Sequence, residues 1–137
     1  MAAMPLDTGR VSHLHLVADG DPEHAPMAAH QPSVDDGVDI GSALRALKTI
    51  QQACADTGTP VSVCGEMAGR PLEAFALLAL GFDRLSMPPA GIGPVKQMVL
   101  SCDREAARRN VEALLKTSAG SLRGEIETLA RKLYVAV

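Results

Sequence analysis

The sequence predicts an α/β fold built on parallel strands. Two short runs typical of strands, PVSVC and FDRLSM, alternate with longer helical segments in the second part of the chain. Strands separated by helices need crossover connections, which favour parallel pairing. Two strands leave open edges and uncovered apolar faces, so we expect them to belong to a larger sheet or barrel. The 137 residues are 47% hydrophobic, enough for the core of one globular domain.

The first helix is predicted from about Ala43 to Thr57. Ser42 can cap its N-terminus, and Gly58 supplies the permissive residue that follows a helix. Four residues are expected to share its buried face: Leu44, Leu47, Ile50 and Cys54. PVSVC, residues 60–64, follows as a strand because it is β-branched and too short for a helix.

The second helix is predicted over PLEAFALLAL, residues 71–80. Pro71 suits a first helical turn, and Gly81 ends the pattern. The interior of this segment is nearly all apolar, which predicts burial on more than one side. Because two strands cannot cover it, we expect a partner or self-association to do so. FDRLSM, residues 82–87, is the second predicted strand.

Three further helices are predicted after the second strand. One runs from Pro94 to about Leu100, one is capped by Asp103, and the last begins at Ser121. The residues expected to face inward on the last two helices are Ala107, Val111, Leu114, Leu115, Leu122, Ile126, Leu129 and Leu133.

The first 40 residues differ chemically from the rest. Residues 1–40 contain seven acids against Arg10, a net charge of −6, whereas residues 41–137 contain twelve Lys or Arg against nine acids. We therefore predict an irregular leader over residues 1–40 and a structured domain over residues 41–137. Within the leader, only VSHLHLVA is a strand candidate. His13 and His15 are interpreted as an exposed polar pair, because no third metal ligand lies nearby.

Composition excludes several classes of protein. Aromatic residues make up only 2% of the chain and the net charge is −3, which argues against nucleic-acid binding. The three cysteines form no CxxC pair, which argues against a zinc site or a disulfide framework. No apolar run approaches the roughly 20 residues that span a bilayer. A reducing cytoplasmic location is expected.

Cys64 is the main candidate for a chemical role. It ends a predicted parallel strand, and ligands and catalytic groups collect at the carboxyl ends of such strands. The alternative interpretation is a small buried side chain. Gly65 and Gly69 permit unusual torsions or close backbone approach. Glu66 can orient the thiol, bind a cation, cap the next helix or remain solvated.

A second candidate is the run PPAGIGP, residues 88–94. Backbone N–H groups ahead of a helix can bind phosphate, but Pro94 removes one donor and the spacing matches no phosphate-binding motif. We interpret the run as a structural turn.

The segment VSVCGEMAGRPLEAFALLALGFDRLSMPPAGIGPVKQMV, residues 61–99, closely resembles the C-terminal end of the phosphoenolpyruvate-utilising enzymes. Its nearest likeness is the enzyme I group, phosphoenolpyruvate-protein phosphotransferases of the bacterial phosphotransferase system, including the nitrogen-related form. The resemblance extends from near Ala43 to the end of the chain. It implies the C-terminal fragment of a (β/α)8 TIM-type barrel of about two strands and five helices, with PVSVC as strand seven and DRLSM as strand eight.

The resemblance also implies an activity. Such enzymes transfer phosphate from phosphoenolpyruvate to a protein histidine, with magnesium as cofactor and a histidine phosphocarrier protein as partner. The family's catalytic cysteine, matched here by Cys64, protonates the enolate of pyruvate. Gly65 and Glu66 are its motif neighbours and are expected to support substrate binding.

Other family features are not found in the sequence. The family's magnesium-binding Asn-Asp pair has no match, since Asn110 is the only asparagine, and no phosphohistidine domain is recognisable. We therefore expect a truncated tail whose leader arose by frameshift or fusion, and an isolated chain with little or no activity. Two alternatives stay open: a non-catalytic module for self-association, and a redox or nucleophilic thiol at Cys64.

Overall fold

Three short strands and six helices form the computed structural model, which describes residues 15–18, 40–117 and 122–137. The strands are β1 (His15–Ala18), β2 (Val63–Cys64) and β3 (Arg84–Met87). The helices are α1 (Ile40–Thr57), α2 (Glu66–Gly69), α3 (Pro71–Leu80), α4 (Pro89–Ser101), α5 (Arg104–Thr117) and α6 (Leu122–Lys132). The architecture is mixed α/β and mostly helical, as the sequence predicts.

The strands form one parallel sheet in the order β1-β3-β2. Both predicted strands are confirmed, although β2 is limited to two residues. Of the strand candidate in the leader, VSHLHLVA, residues 15–18 form β1 and pair with β3 on the side opposite β2, and residues 11–14 lie outside the described residues. The sheet therefore has three strands among the described residues, one more than the sequence predicts, because part of the leader joins it.

Helix α3 forms the centre of the core. It spans Pro71–Leu80 and ends at Gly81, whose φ of 103° is left-handed, as predicted. Every residue from Glu73 to Leu80 is buried. The expectation that this helix needs an outside partner is wrong, because α1, α4, α5 and α6 of the same chain pack around it.

Helix α1 begins earlier than predicted and is less buried. It starts at Ile40, so Ser42 lies inside the helix and does not cap it. Leu44 is fully buried and Leu47 half-buried, but Ile50 remains 50% exposed. The helical repeat identified an apolar stripe, of which Leu44 is fully covered, Leu47 and Cys54 are partly covered and Ile50 is exposed.

Helix α4 also begins earlier than predicted. It starts at Pro89, so the interpretation of PPAGIGP as a turn is wrong: most of the run is the first part of the helix. Pro94 lies inside the helix, where proline normally disrupts the hydrogen-bond pattern. Val95 and Met98 bury the inner face of the next turns, which holds the helix together despite the proline.

The last two helices follow the prediction closely. Asp103 caps α5, because its Oδ1 accepts hydrogen bonds from the backbone N–H groups of Glu105 (3.0 Å) and Ala106 (3.1 Å). On α6, Leu122, Ile126 and Leu129 are buried, and the half-buried Leu133 follows the helix. Most of the predicted inward faces of these helices are confirmed.

Candidate functional site

Cys64 is the last residue of β2 and lies at the carboxyl end of the parallel sheet. The prediction that it ends a strand is confirmed, and its thiol is exposed. A buried structural cysteine is therefore not what the structure shows. We name residues 64–69, which comprise Cys64, Gly65 and helix α2, the Cys64 loop.

Gly65 turns the chain sharply after Cys64. Its torsions are φ 107° and ψ −170°, a region that is essentially restricted to glycine. Its backbone N–H donates to the carbonyl oxygen of Ser86 on β3, and its own carbonyl accepts from the N–H of Ala68. Gly65 thus connects the Cys64 loop to the sheet and directly precedes α2. Its positive φ is an unusual torsion of the kind that the sequence predicted.

Ser86 lies beside Cys64 across the sheet. The two residues are register partners in the β2–β3 pair, and partners across a ladder point to the same face. On β3 the alternate residues Leu85 and Met87 are buried in the core, whereas Ser86 is half-buried. Sequence reasoning did not identify Ser86 as a site residue. The sequence showed only that Ser86 lies in the predicted strand FDRLSM. The strand register is needed to place it beside Cys64.

Gly69 brings together the two candidate motifs of the sequence, CGEMAG and PPAGIGP. It ends α2 and lies against Met87, Pro88 and Gly91, so that the Cys64 loop and the first turn of α4 touch. The sequence suggested that Gly69 permits close backbone approach, and the structure shows it. The contacting residue, Gly91, was not predicted.

Glu66 is the first residue of α2 and its carboxylate is mostly exposed. Its Oε2 lies 3.3 Å from Nη2 of Arg70, four residues further along the chain. An exposed pair of this kind contributes little to stability. Its predicted support of substrate binding stays a prediction.

The other two thiols lie in different surroundings. Cys54 is partly buried on α1, and Cys102 is buried between α4 and α5. The pKa of the Cys102 thiol is raised to about 11, mainly by burial and to a smaller extent by the charge of Asp103, while the charge of Arg104 lowers it. Cys102 is therefore kept protonated at neutral pH, and of the three thiols only Cys64 is exposed.

A buried carboxylate lies near the start of α3. Glu73 is 3% exposed, and its Oε1 lies 2.6 Å from Nη1 of Arg123 on α6. The pair joins segments 50 residues apart and gives the buried charge a partner. Sequence reasoning missed it, because nothing local distinguishes Glu73 from a solvated acid in a first helical turn.

The described residues show no metal site. Residues 15–18, 40–117 and 122–137 contain no group of three His, Cys, Asp or Glu that can hold a metal ion. His13 lies outside these residues. Across the same part of the chain, no helix is both long and apolar enough to cross a membrane.

More than half of the chain matches a known protein family. Residues 26–104 match the family model described as "PEP-utilising enzyme, PEP-binding domain", where PEP is phosphoenolpyruvate. The match includes the whole Cys64 loop, Ser86 and the start of α4. The chain belongs to the phosphoenolpyruvate-utilising enzymes.

Curated relatives agree with this assignment. The chain is similar to the "Phosphoenolpyruvate-dependent phosphotransferase system" protein of Salmonella typhimurium, with 38% identity over 78 residues, which cover 54% of this chain and 10% of the relative. It is similar to the phosphoenolpyruvate-protein phosphotransferase of Cupriavidus necator, with 41% identity over 69 residues, 50% of this chain and 12% of the relative. The corresponding Haloferax volcanii protein is 36% identical over 86 residues, 63% of this chain and 15% of the relative. The chain therefore spans only about a tenth to a seventh of the length of these relatives.

Proposed function

We propose that this chain provides the proton-donating edge of a phosphoenolpyruvate-binding domain. In the proposed reaction, a phosphoryl group passes from phosphoenolpyruvate to a histidine of a protein, and Cys64 protonates the enolate that remains. One observation carries the proposal: an exposed thiol stands at the carboxyl end of a parallel strand, within a chain of this family.

The proton transfer balances without any further reactant. Breaking the bond between phosphorus and the enol oxygen leaves the enolate of pyruvate on that oxygen. The S–H bond of Cys64 then breaks, a C–H bond forms at C3 of the enolate, and pyruvate and a thiolate result. Solvent returns a proton to the exposed thiolate before the next cycle.

The edge of the sheet suits such a donor. Gly65 turns the chain away directly after Cys64, so that no following side chain covers the thiol from that position. Ser86 is the register partner of Cys64 and places a hydroxyl on the same face of the sheet. The proposed roles of Gly65 and Glu66 are to shape this edge and to hold Arg70 beside it.

We propose that residues outside the described ranges bind the phosphate and the metal. Magnesium, which the family resemblance implies, finds no suitable group of ligands among the described residues. Electrostatic stabilisation of the transferring phosphoryl group is the major term in such reactions, so we expect the chain alone to turn over phosphoenolpyruvate poorly.

We further propose that the sheet is a segment of a (β/α)8 barrel. In a closed barrel each strand has a neighbour on both sides, and β3 is paired in this way by β1 and β2. The outer edges of β1 and β2 would then continue into strands that the described residues do not include.

The experiment uses the chain and a chimera. The segment of the Cupriavidus necator relative that matches this chain is replaced by the corresponding residues of this chain. Pyruvate formation from phosphoenolpyruvate is measured with magnesium and a histidine phosphocarrier protein. We expect turnover by the chimera, little by the chain alone, and a loss of at least tenfold in the chimera carrying Cys64→Ala.

Cys54→Ala is the matched control, because it removes a partly buried thiol of α1, outside the Cys64 loop, and should leave turnover unchanged. Phosphorylation of the carrier is followed in parallel, since a lost proton donor should slow pyruvate release more than it slows a single phosphoryl transfer. Turnover that is the same with Cys64 or Ala at this position would refute the proton-donor role.

A further inference from the structure

The backbones of α2 and α4 touch at two glycines. Gly69 is the last residue of α2, and Gly91 lies in the first turn of α4. A Cβ atom added to Gly91 would lie 2.9 Å from both the Cα and the carbonyl oxygen of Gly69. Cβ atoms in proteins are essentially never this close to backbone atoms, so only glycine fits at position 91 in this arrangement.

The contact is close to Cys64 along the chain. Helix α2 is a single turn of four residues, and its N-cap, Gly65, directly follows Cys64. The start of the turn is attached to β3 by the hydrogen bond from Gly65 to Ser86, and its end lies against Gly91. Ala68 of this turn is also fully buried, so the turn is held along its length and we expect a shift at Gly69 to reach Cys64.

The same contact contributes little to the hydrophobic core. Val95 and Met98 are fully buried and already anchor α4 to the rest of the chain. Gly69 and Gly91 have no side chains to bury, so their contact determines distance and orientation rather than adding apolar area.

We propose that α4 is a positioning element for Cys64, and that Gly69 and Gly91 are the positioning residues. Their contact fixes α2, and α2 fixes the direction of the Cys64 thiol relative to the face it shares with Ser86. The catalytic meaning of this device rests on the proposed proton transfer, for which a misplacement of about 1 Å is costly.

Gly91→Ala tests the proposal, with Gly93→Ala as the matched control. Both residues are glycines of α4, but a Cβ on Gly93 meets nothing within 4 Å. In the full chain, alkylation rates of all three cysteines are measured between pH 6 and pH 10 by peptide mass spectrometry. We expect Gly91→Ala to change the alkylation rate of Cys64 at least threefold or to shift the midpoint of its pH dependence. Gly93→Ala should change neither the rate nor the midpoint.

The other thiols separate positioning from loss of folding. Cys102 is buried, so faster labelling of Cys102 reports general opening of the structure. An altered Cys64 with an unchanged Cys102 supports the proposal. Equal acceleration of both thiols, or a Cys64 rate identical to that of the unaltered chain, overturns it.

Gly69→Ala gives a milder form of the same test. A Cβ at position 69 approaches Met87 Cβ at 3.4 Å and Pro88 Cδ at 3.6 Å, which are tolerable contacts. We expect a smaller change in Cys64 than Gly91→Ala produces. If Gly91→Ala folds poorly, Gly69→Ala decides: an unchanged alkylation rate of Cys64 in that variant overturns the proposal.

The two proposals fail separately. In the chimera, Gly91→Ala should lower kcat while the KM for phosphoenolpyruvate stays the same, because it displaces the proton donor and not the phosphate site. If Cys64→Ala has no effect on turnover but Gly91→Ala still alters Cys64 labelling, the positioning role holds and the proton-donor role fails.

Discussion

Helix α3 and the Cys64 loop are adjacent in the chain and are held in opposite ways. From Glu73 to Leu80, α3 has every residue buried, and four helices pack around it. The Cys64 loop begins with an exposed thiol, and at its other end the backbone of Gly69 contacts the backbone of Gly91. The first is fixed by the burial of almost every side chain. The second buries Ala68 fully, and glycine backbone geometry fixes both of its ends.

The difference shows how one stretch of sequence serves stability and chemistry together. A thiol that acts on a substrate has to be accessible, so it cannot be positioned by burying it. Gly65 attaches the exposed residue to β3, and Gly69 places α2 against the first turn of α4. Substitutions in the two regions should therefore have different consequences.

The largest effect is expected in the core helix. Phe75 is fully buried, and Phe75→Ala should lower the free energy of unfolding by about 3–5 kcal/mol through lost burial and the cavity left behind. Chemical denaturation measures this change. Tyr134→Ala is the control, because Tyr134 is 90% exposed and its loss should cost less than about 0.5 kcal/mol. A change in Cys64 alkylation in the folded Phe75→Ala chain would break the distinction between the two regions.

The ion pair between α3 and α6 should respond asymmetrically. Arg123→Ala leaves the carboxylate of Glu73 buried without this partner and should cost about 2–3 kcal/mol. Glu73→Gln keeps an acceptor of the same shape and leaves the half-exposed Arg123 hydrated, so about 1 kcal/mol is expected. Denaturation of the two variants compares these costs, and a larger loss in Glu73→Gln would contradict the role of burial.

The buried thiol of Cys102 should make the stability of the chain depend on pH. The pKa of Cys102 is about 11 in the folded chain against an ordinary value of 9.0, so the folded state keeps this proton where the unfolded chain loses it. The resulting stabilisation is complete below pH 9 and is lost as pH rises toward 11, by about 2–3 kcal/mol. Cys102→Ala should remove this part of the alkaline loss of stability, measured by denaturation between pH 8 and pH 11.

Cys64→Ala is the control for that experiment, because it removes an exposed thiol instead of the buried one. An alkaline loss that is the same in the Cys102→Ala variant and the unaltered chain would show that other groups cause it.

The smallest effect on stability, and the most local, is expected at Gly65. Gly65→Ala forces an alanine into torsions reserved for glycine and should cost about 1–3 kcal/mol, with a changed Cys64 alkylation rate. Gly58→Ala is matched, since Gly58 also has a positive φ of 65° and nothing lies within 4 Å of its added Cβ. It should cost about 1–2 kcal/mol and leave Cys64 unchanged. Equal effects on Cys64 from both variants would show that the loop is not locally held.

Local rules predicted well wherever one segment decides its own structure. Pro71 and Gly81 bound α3 because a proline suits a first turn and a glycine adopts the left-handed torsions at a helix end. Asp103 caps α5 through its own neighbours. The same rules placed two helix starts too late: Ser42 lies inside α1, and α4 begins at Pro89, within PPAGIGP.

The sequence alone determined the α/β class, the core helix, the family and the place of Cys64 at the end of a strand, because each follows from a short continuous pattern. Only the tertiary structure decided which distant residues meet. It paired Cys64 with Ser86, set Gly69 against Gly91, joined Glu73 to Arg123 and added β1 to the sheet. Contacts of this kind depend on strand register and helix packing, and no local pattern encodes them.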